Sequence, residues 1–261
     1  MNKAVRVVVW IICGILLLPI AIVVILSFSG DTFLRFPPTS LSLQWYGRFF
    51  GSFEWRQSMW ASLLIGFIAC LIASSVGFLG AYAFVRGRFG GKKFLLSLVL
   101  LPIIVPELIT AIALYYVSAR LGLVGSRLWI AVCQSMAALP IVVMLLMAAL
   151  QSIDVNVERA AFSLGGGRST VFRRIVIPLA LPGVVSAALF AFLASFDELL
   201  IALFLTGVSF QTLPVRIWNS LFLNVEPTIA AVSGFFIAVT ALVLLADRAI
   251  RHTLGRRSSR A

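Results

Sequence analysis

The chain has 261 residues, of which 61% are hydrophobic and only 11% are charged. A soluble domain of this length could not hide so much apolar surface from water, so the composition excludes a soluble globular protein and indicates an integral membrane protein. The net charge of +12 would suit nucleic acid, but the basic residues cluster between apolar runs instead of following one face, which argues against nucleic-acid binding.

Few residues are available for catalysis or metal binding. The single histidine, His252, lies in a basic tail, and the three cysteines occupy three different apolar runs without CxxC spacing. Histidine-ligated metal sites and Ser/His/Asp triads need residues that this pattern does not supply. The sequence therefore predicts no metal site, and it disfavours an intramembrane enzyme.

Six apolar segments are long enough to cross a membrane, because about 20 helical residues span the hydrocarbon core. The first exceeds the roughly 7–15 apolar residues of a signal peptide, so we expect it to be retained. The sequence predicts an all-α membrane protein with one transmembrane domain over 1–261 and spans at about 5–27, 59–85, 94–117, 128–150, 183–205 and 228–247.

Basic residues assign the loops to two sides of the membrane. With six spans both termini share a side, and fifteen of the 21 Lys and Arg residues lie in the termini, the 86–93 loop and the 151–182 loop, against six in the opposite loops. Cytoplasmic loops carry the excess of positive charge. We therefore expect a multi-pass protein of the bacterial inner membrane with cytoplasmic N- and C-termini and a cytoplasmic 151–182 loop.

Acidic residues in two spans are candidates for a substrate pathway or gate. Glu107 follows Pro102 and Pro106 in "LPIIVPELIT", and prolines at this spacing predict a kink near the start of the third span. Asp197 and Glu198 follow Phe196 in the fifth span, where an ionised carboxylate is costly unless it faces a bundle interior or a water-filled cavity. Helix geometry turns adjacent side chains about 100° apart, so one acid can face the pathway while the other packs against a neighbouring subunit.

The 151–182 loop has the features of a compact helical hairpin. Asp154 stands where an N-cap is expected, and the three glycines from Gly165 provide an abrupt end. Between them Glu158, Ala161 and Gly165 share a helix face that is almost free of bulk, with Ala160 and Leu164 beside it; a second short helix runs from about Ser169 to Pro178. An amphipathic helix on the lipid surface would need large apolar residues, so a protein-docking helix presented to the cytoplasm is the favoured interpretation.

This loop resembles the EAA signature of ABC importer permeases, which reads EAA, three residues, G, nine residues, I, one residue and LP. Here the matching residues are Glu158, Ala160, Ala161, Gly165 and the Ile175 to Pro178 stretch. The chain departs from the pattern at Arg159, which separates Glu158 from the alanines, and at Ile177, which replaces leucine. The resemblance implies a type I importer permease fold and an ATPase-coupling role for Glu158, Ala160, Ala161, Leu164, Gly165 and Pro178.

The resemblance also implies partners. The stretch nearest to a Walker A motif, "GRFGGKK", has neither its spacing nor its hydroxyl residue, so the ATPase is expected to be another polypeptide. The family implies a homologous permease subunit, two ATP-binding cassette subunits and a periplasmic or lipid-anchored substrate-binding protein. No cofactor is expected on this chain, while ATP and magnesium are expected on the ATPase.

A wider resemblance concerns the substrate. The runs "SFDELLIALFLTG", "QTLPVRIWNSL" and "VEPTIAAVS" resemble the spermidine/putrescine branch of these permeases, close to its second permease subunit, over about residues 5–250. This implies polyamine import. Permeases for opines, aminophosphonates, amino acids or anions remain alternatives with the same fold, and a membrane anchor for an ATPase that does not transport remains an alternative from another class.

Overall fold

A computed structural model describes residues 3–33, 35–223 and 227–258, with side chains for 5–33, 35–222 and 227–248. The side chain of Lys3, Glu226 and the side chains of the basic tail beyond Arg248, including His252, lie outside these ranges. Apart from one isolated antiparallel pair between Ser29 and Leu41, the described residues are helices and their connections, which confirms the all-α prediction.

The described residues form twelve α-helices. Their bounds are α1 Lys3–Ser27, α2 Gln44–Gly51, α3 Phe53–Arg86, α4 Lys92–Leu100, α5 Glu107–Arg120, α6 Arg127–Gln151, α7 Val155–Ser163, α8 Arg168–Val171, α9 Ile177–Phe196, α10 Leu200–Leu205, α11 Leu213–Leu223 and α12 Thr228–Ser258.

Five continuous helices are long and apolar enough to span a membrane, with mean hydropathies between 2.3 and 3.1 over their most apolar windows. A pair of shorter helices passes the same test together, which gives six spans if the pair counts as one. The continuous helices are Val5–Ser27, Phe53–Arg86, Arg127–Gln151, Arg168–Phe196 and Thr228–Arg248. The predicted spans thus find helical counterparts, but the third and fifth have a different form from the one expected.

The predicted third span, 94–117, is two helices instead of one. The segments Lys92–Ile103 and Glu107–Arg120 meet at an angle of 98°, with the turn between Pro102 and Pro106. Each proline lacks a donor and its ring displaces the carbonyl four residues earlier, so the two together end one helix before the next begins. The predicted kink is confirmed, and it is sharp enough to divide the span.

The predicted fifth span, 183–205, is wrong as a single helix. The helical run begins earlier, at Arg168, and passes through a wider π-type turn at Phe172–Val176 before α9. Pro178 cannot donate to the carbonyl of Arg174, which is a physical reason for the wider turn at this point. The run then stops at Phe196, and α10 starts again at Leu200.

The chain divides into two compact units. The first consists of residues 1–59 and 215–242. Phe49, which is 1% exposed, packs there against Trp55 and Phe235, while Arg216 pairs with Glu54 at 2.8 Å. In the loop after α1, Thr39 donates to Asp31 from its hydroxyl and its amide, and these bonds hold the pKa of the Asp31 carboxyl below its usual value.

The second unit, residues 60–214 and 243–261, contains two apolar clusters. In one, α3, α6 and α9 meet around Phe78, Leu146 and Ala187. In the other, Ile65 and Ala69 of α3 pack with Ile201 and Leu205 of α10. Both candidate regions from the sequence lie in this unit, and α3 contacts each cluster.

Candidate functional site

The acids of the fifth span lie at a break in the helix. Asp197, Glu198 and Leu199 separate α9 from α10, although the sequence around them stays apolar. A break inside the hydrocarbon region frees backbone groups that no water can satisfy, so protein groups must bond them instead. The chain supplies the necessary acceptor at the break itself.

Glu198 is that acceptor. Its two carboxylate oxygens accept the amide hydrogens of Ile201 at 2.7 Å and Ala202 at 3.0 Å, which are among the first free donors of α10. The residue is only 7% exposed. Glu198 therefore acts as a buried cap for α10, an arrangement in which a negative charge at a helix N-terminus is favourable.

Gln134 of α6 completes the network. Its amide nitrogen donates to Glu198 at 3.1 Å, and its amide oxygen accepts the hydroxyl hydrogen of Ser195 at 2.5 Å. Gln134 is 1% exposed, so α6 holds both sides of the break. The sequence reasoning missed Gln134 and Ser195; the available signal was an amide side chain within the otherwise apolar 128–150 segment.

Asp197 has different surroundings. Its side chain is exposed, and within the described part of the chain no hydrogen bond or ion pair engages its carboxylate. The helix is continuous from Pro182 to Phe196, which places Asp197 about 22 Å along the axis from Pro182 at 1.5 Å per residue. An exposed carboxylate thus follows directly after the candidate span Arg168–Phe196, beside a buried one that holds the backbone.

The other predicted pathway residues divide between the surface and the interior. Glu107 is exposed at the first turn of α5, immediately after the 98° bend, and α10 packs against α5. Phe196, predicted to line a pathway or gate, is only 1% exposed and stacks on Phe192 with ring centroids 5.5 Å apart.

The loop helix begins and ends as the sequence predicts. Asp154 caps α7 by accepting the amide hydrogen of Asn156 at 2.9 Å. At the other end Gly165 has a φ of +85° and donates to the carbonyl of Phe162, while Gly166 donates to the carbonyl of Ala161. These two bonds form a Schellman motif, whose left-handed residue is most often glycine.

The face that α7 exposes differs from the expected one. Glu158 is 5% exposed and points inward, and Ala161 is half-buried, so Glu158 does not lie on an exposed face of α7. Ala160 and Pro178 are exposed, and Leu164 directly after α7 is 89% exposed. Three other apolar residues of α7 are also exposed, namely Val155, Val157 and Phe162.

Glu158 turns inward because it meets a cation there. Arg86, at the last turn of α3, donates from Nε to the Glu158 carboxylate at 2.7 Å and from Nη2 to the carbonyl of Ile153 at 2.9 Å. The side chains of Arg86 and Glu158 are 18% and 7% exposed. The sequence indicates only that Arg86 belongs to a basic loop. Nothing in the local sequence links Arg86 to Glu158, because they are 72 positions apart.

The described residues thus combine five long apolar helices, a sixth span if the bent pair counts as one, a helix break capped by a buried carboxylate, and a capped loop helix. Residues 73–257 match the family described as binding-protein-dependent transport system inner membrane component. The match covers more than half of the chain, so the chain belongs to this family of inner-membrane transport permeases. It is a multi-pass membrane component of an ABC importer, and its family is one of transport subunits without a catalytic activity of their own.

Individual relatives narrow the comparison. The chain is 30% identical over 239 residues to the spermidine/putrescine transport system permease PotC of Haemophilus influenzae. The matched residues cover 91% of this chain and 93% of the relative. It is 29% identical over 213 residues to the trehalose transport system permease SugB of Mycobacterium tuberculosis, covering 80% and 78%. The resemblance to the spermidine/putrescine permeases is confirmed and extends over most of the chain.

A solved structure supports the fold. A chain from the crystal structure of a bacterial ABC transporter involved in the import of the acidic polysaccharide alginate superposes with a TM-score of 0.74, covering 95% of this chain and 98% of that one. The sequences are only 17% identical, so this likeness concerns the fold alone. The type I importer fold that the sequence predicts is confirmed.

Proposed function

We propose that this permease carries polyamines such as putrescine and spermidine into the cytoplasm. The observation that carries the proposal is Asp197, an exposed carboxylate without a protein partner in the described residues, at a helix break in an otherwise apolar span. An unpaired acid beside long apolar helices is expensive unless it faces water or a cation. A polyamine brings ammonium groups that would lower this cost.

The two acids would then have separate tasks. Glu198 is saturated by two backbone amides and Gln134, so it is a poor ligand for an ammonium group and a good support for the break. Asp197 is free to face the pathway, and Glu107 at the bend of the third span adds a second exposed acid to the same unit. Polyamine ions carry charges separated by methylene chains, and two acids on separate helices suit such a ligand.

The loop helix α7 is proposed as the coupling helix. Leu164 and its exposed apolar neighbours support contact with an ATPase groove, because an apolar side chain this exposed is stabilised when a partner covers it. Ala160, Ala161, Gly165 and Pro178 shape or flank this surface. Glu158 would contribute indirectly, by fixing the orientation of α7 through Arg86.

The complete importer that we propose contains this permease, a homologous permease, two ATP-binding cassette subunits and a periplasmic or lipid-anchored substrate-binding protein. ATP and magnesium would be held by the ATPase subunits. The distribution of basic residues supports cytoplasmic termini and a cytoplasmic α7. ATP-driven closure of the ATPase pair would move α7 and switch the bundle between outward and inward openings.

A second candidate keeps the importer and changes the cargo. The trehalose permease relative is nearly as similar in identity as the polyamine one, although over less of the chain. An uncharged cargo would leave Asp197 without an electrostatic task. The two candidates therefore differ in which compound, a polyamine or trehalose, the importer takes up.

The test is uptake of labelled putrescine into proteoliposomes that contain the permease with the partner subunits encoded beside it. We expect uptake to require ATP and the binding protein, and to be competed by spermidine but not by trehalose. ATP-dependent uptake of labelled trehalose, with no uptake of putrescine, would support the second candidate. The membrane-anchor alternative would remain if the permease binds the ATPase but no ATP-dependent uptake is found. The compounds tested for uptake would be putrescine, trehalose, opines, aminophosphonates, amino acids and anions.

A further inference from the structure

Hydrogen bonds from one side chain connect α3 to α7 and to the residue before its N-cap. Among the described residues, Arg86 makes the only side-chain hydrogen bonds that join α3 to residues 151–165, at 2.7 Å to Glu158 and 2.9 Å to the carbonyl of Ile153. A cleft of about 560 Å³, lined by Phe162 of α7 and Tyr82 of α3, lies beside the pair. Ile153, before α7, packs in an apolar cluster that includes α3, and within α7 the described hydrogen bond to α3 comes from the Arg86 guanidinium.

The two Arg86 bonds affect the orientation of α7 as well as its attachment to α3. One bond reaches Ile153, just before the N-cap Asp154, and the other reaches Glu158 in the second turn of α7. A planar guanidinium bonds two acceptors in a set orientation, which a single ammonium group cannot do. The guanidinium thus contacts α7 and the residue before its N-cap at once, which favours one orientation of α7 relative to α3.

The other end of this connection reaches the broken span. No proline interrupts α3, and about 30 Å from Arg86, at 1.5 Å per residue, its Ile65 and Ala69 pack with Ile201 and Leu205 of α10. Helix α10 is the element that Glu198 caps, next to Asp197. A continuous helix thus links the loop helix to the acids.

We propose that Arg86 is the positioning residue through which movement of α7 is transmitted along α3 to α10 and the Asp197 site. This inference rests on the proposed function, in which a partner ATPase moves α7. Burying an ion pair is weak evidence for stability, since desolvation offsets much of its attraction. A role in transmission gives the pair a function that stability alone does not.

The competing route is covalent. Helices α6 and α9 flank the loop in the chain, and they pack against each other, so movement of α7 could pass through them without Arg86. The two routes make opposite predictions for a variant that removes the guanidinium and leaves the exposed face of α7 intact. Arg88, exposed in the same connection, provides a matched control.

The experiment compares Arg86→Ala, Arg86→Lys and the exchange Arg86→Glu with Glu158→Arg in the reconstituted importer, with Arg88→Ala as control. Three quantities are measured: ATPase retained by the permease, basal ATP hydrolysis, and uptake per ATP hydrolysed. We expect Arg86→Ala to keep the first two and to lose about tenfold in the third, within the range of allosteric couplings. Arg86→Lys should be intermediate, and the exchange should recover part of the loss because it restores the charge pair but not the Ile153 bond.

Each result has a distinct meaning. Wild-type uptake per ATP in Arg86→Ala, in a background where the wild type transports, overturns the inference and leaves the proposed function intact. Absence of uptake by the wild type overturns the proposed function instead. If Arg86→Ala does not fold, Arg86→Lys and the exchange decide: full coupling in both would overturn the inference, and a graded loss would support it.

Discussion

Asp197 and Glu198 are neighbours in the chain, yet their carboxylates have opposite surroundings. Glu198 is buried and bonded to the amides of Ile201 and Ala202 and to Gln134, whereas Asp197 is exposed. The helix break causes the difference, because it needs one acid as a cap and turns the other outward. At this scale the distinction is between an acid that supports the fold and an acid available to cargo.

The supporting role predicts a stability cost at Gln134. Gln134→Leu keeps the volume but removes the bonds to Glu198 and Ser195, leaving a buried carboxylate with fewer donors. We expect the free energy of unfolding to fall by about 1–3 kcal/mol, the usual penalty for an unsatisfied buried polar group. Equilibrium unfolding in detergent micelles measures this change.

Gln211 offers the matched control for this prediction. Its side-chain oxygen is buried without a hydrogen-bond partner among the described residues, so Gln211→Leu should not lower stability. If both variants unfold at the same denaturant concentration, the network around Glu198 does not hold the break.

At the scale of elements, α7 has an inner and an outer side. The inner side is fixed by Arg86 and Glu158, and the sharp end at Gly165 projects Leu164 away from the chain. The sequence predicted the cap and the glycine end correctly, since Asp154 and Gly165 act within a few residues of themselves. It could not predict which side faces inward, because that depends on Arg86, which lies 72 positions away.

The outer side predicts where the ATPase binds. Leu164→Asp places a charge on the exposed apolar surface, and we expect it to weaken ATPase binding by more than about tenfold, since burying a leucine contributes about 1.5–3 kcal/mol. Co-purification of the ATPase with the permease, titrated in detergent, measures the affinity.

Leu121→Asp is the control for the change in charge. Leu121 is 59% exposed and follows α5, away from the loop in sequence. Equal ATPase affinity in the Leu164 and Leu121 variants would contradict the assignment of α7 as the coupling helix.

At the scale of the whole molecule, composition and long apolar runs were enough to predict an all-α membrane fold, because hydrocarbon admits few backbone solutions. The breaks were harder. Two prolines predict the bend before Glu107. In the fifth span the sequence stays apolar on both sides of Asp197, so the hydropathy does not indicate that the helix ends at Phe196. The break depends on α6, because Gln134 bonds the groups on both sides of it, and the sequence of the fifth span does not contain this information.

The central claim is that a cationic cargo passes an exposed acid at this break. It is tested most directly by ATP-dependent putrescine uptake in Asp197→Asn, with Glu54→Gln as a control that removes another exposed acid. We expect Asp197→Asn to lose at least about tenfold in uptake, equivalent to 1.4 kcal/mol, while ATPase binding and thermal stability stay at wild-type values. Unchanged putrescine uptake in Asp197→Asn would contradict the account.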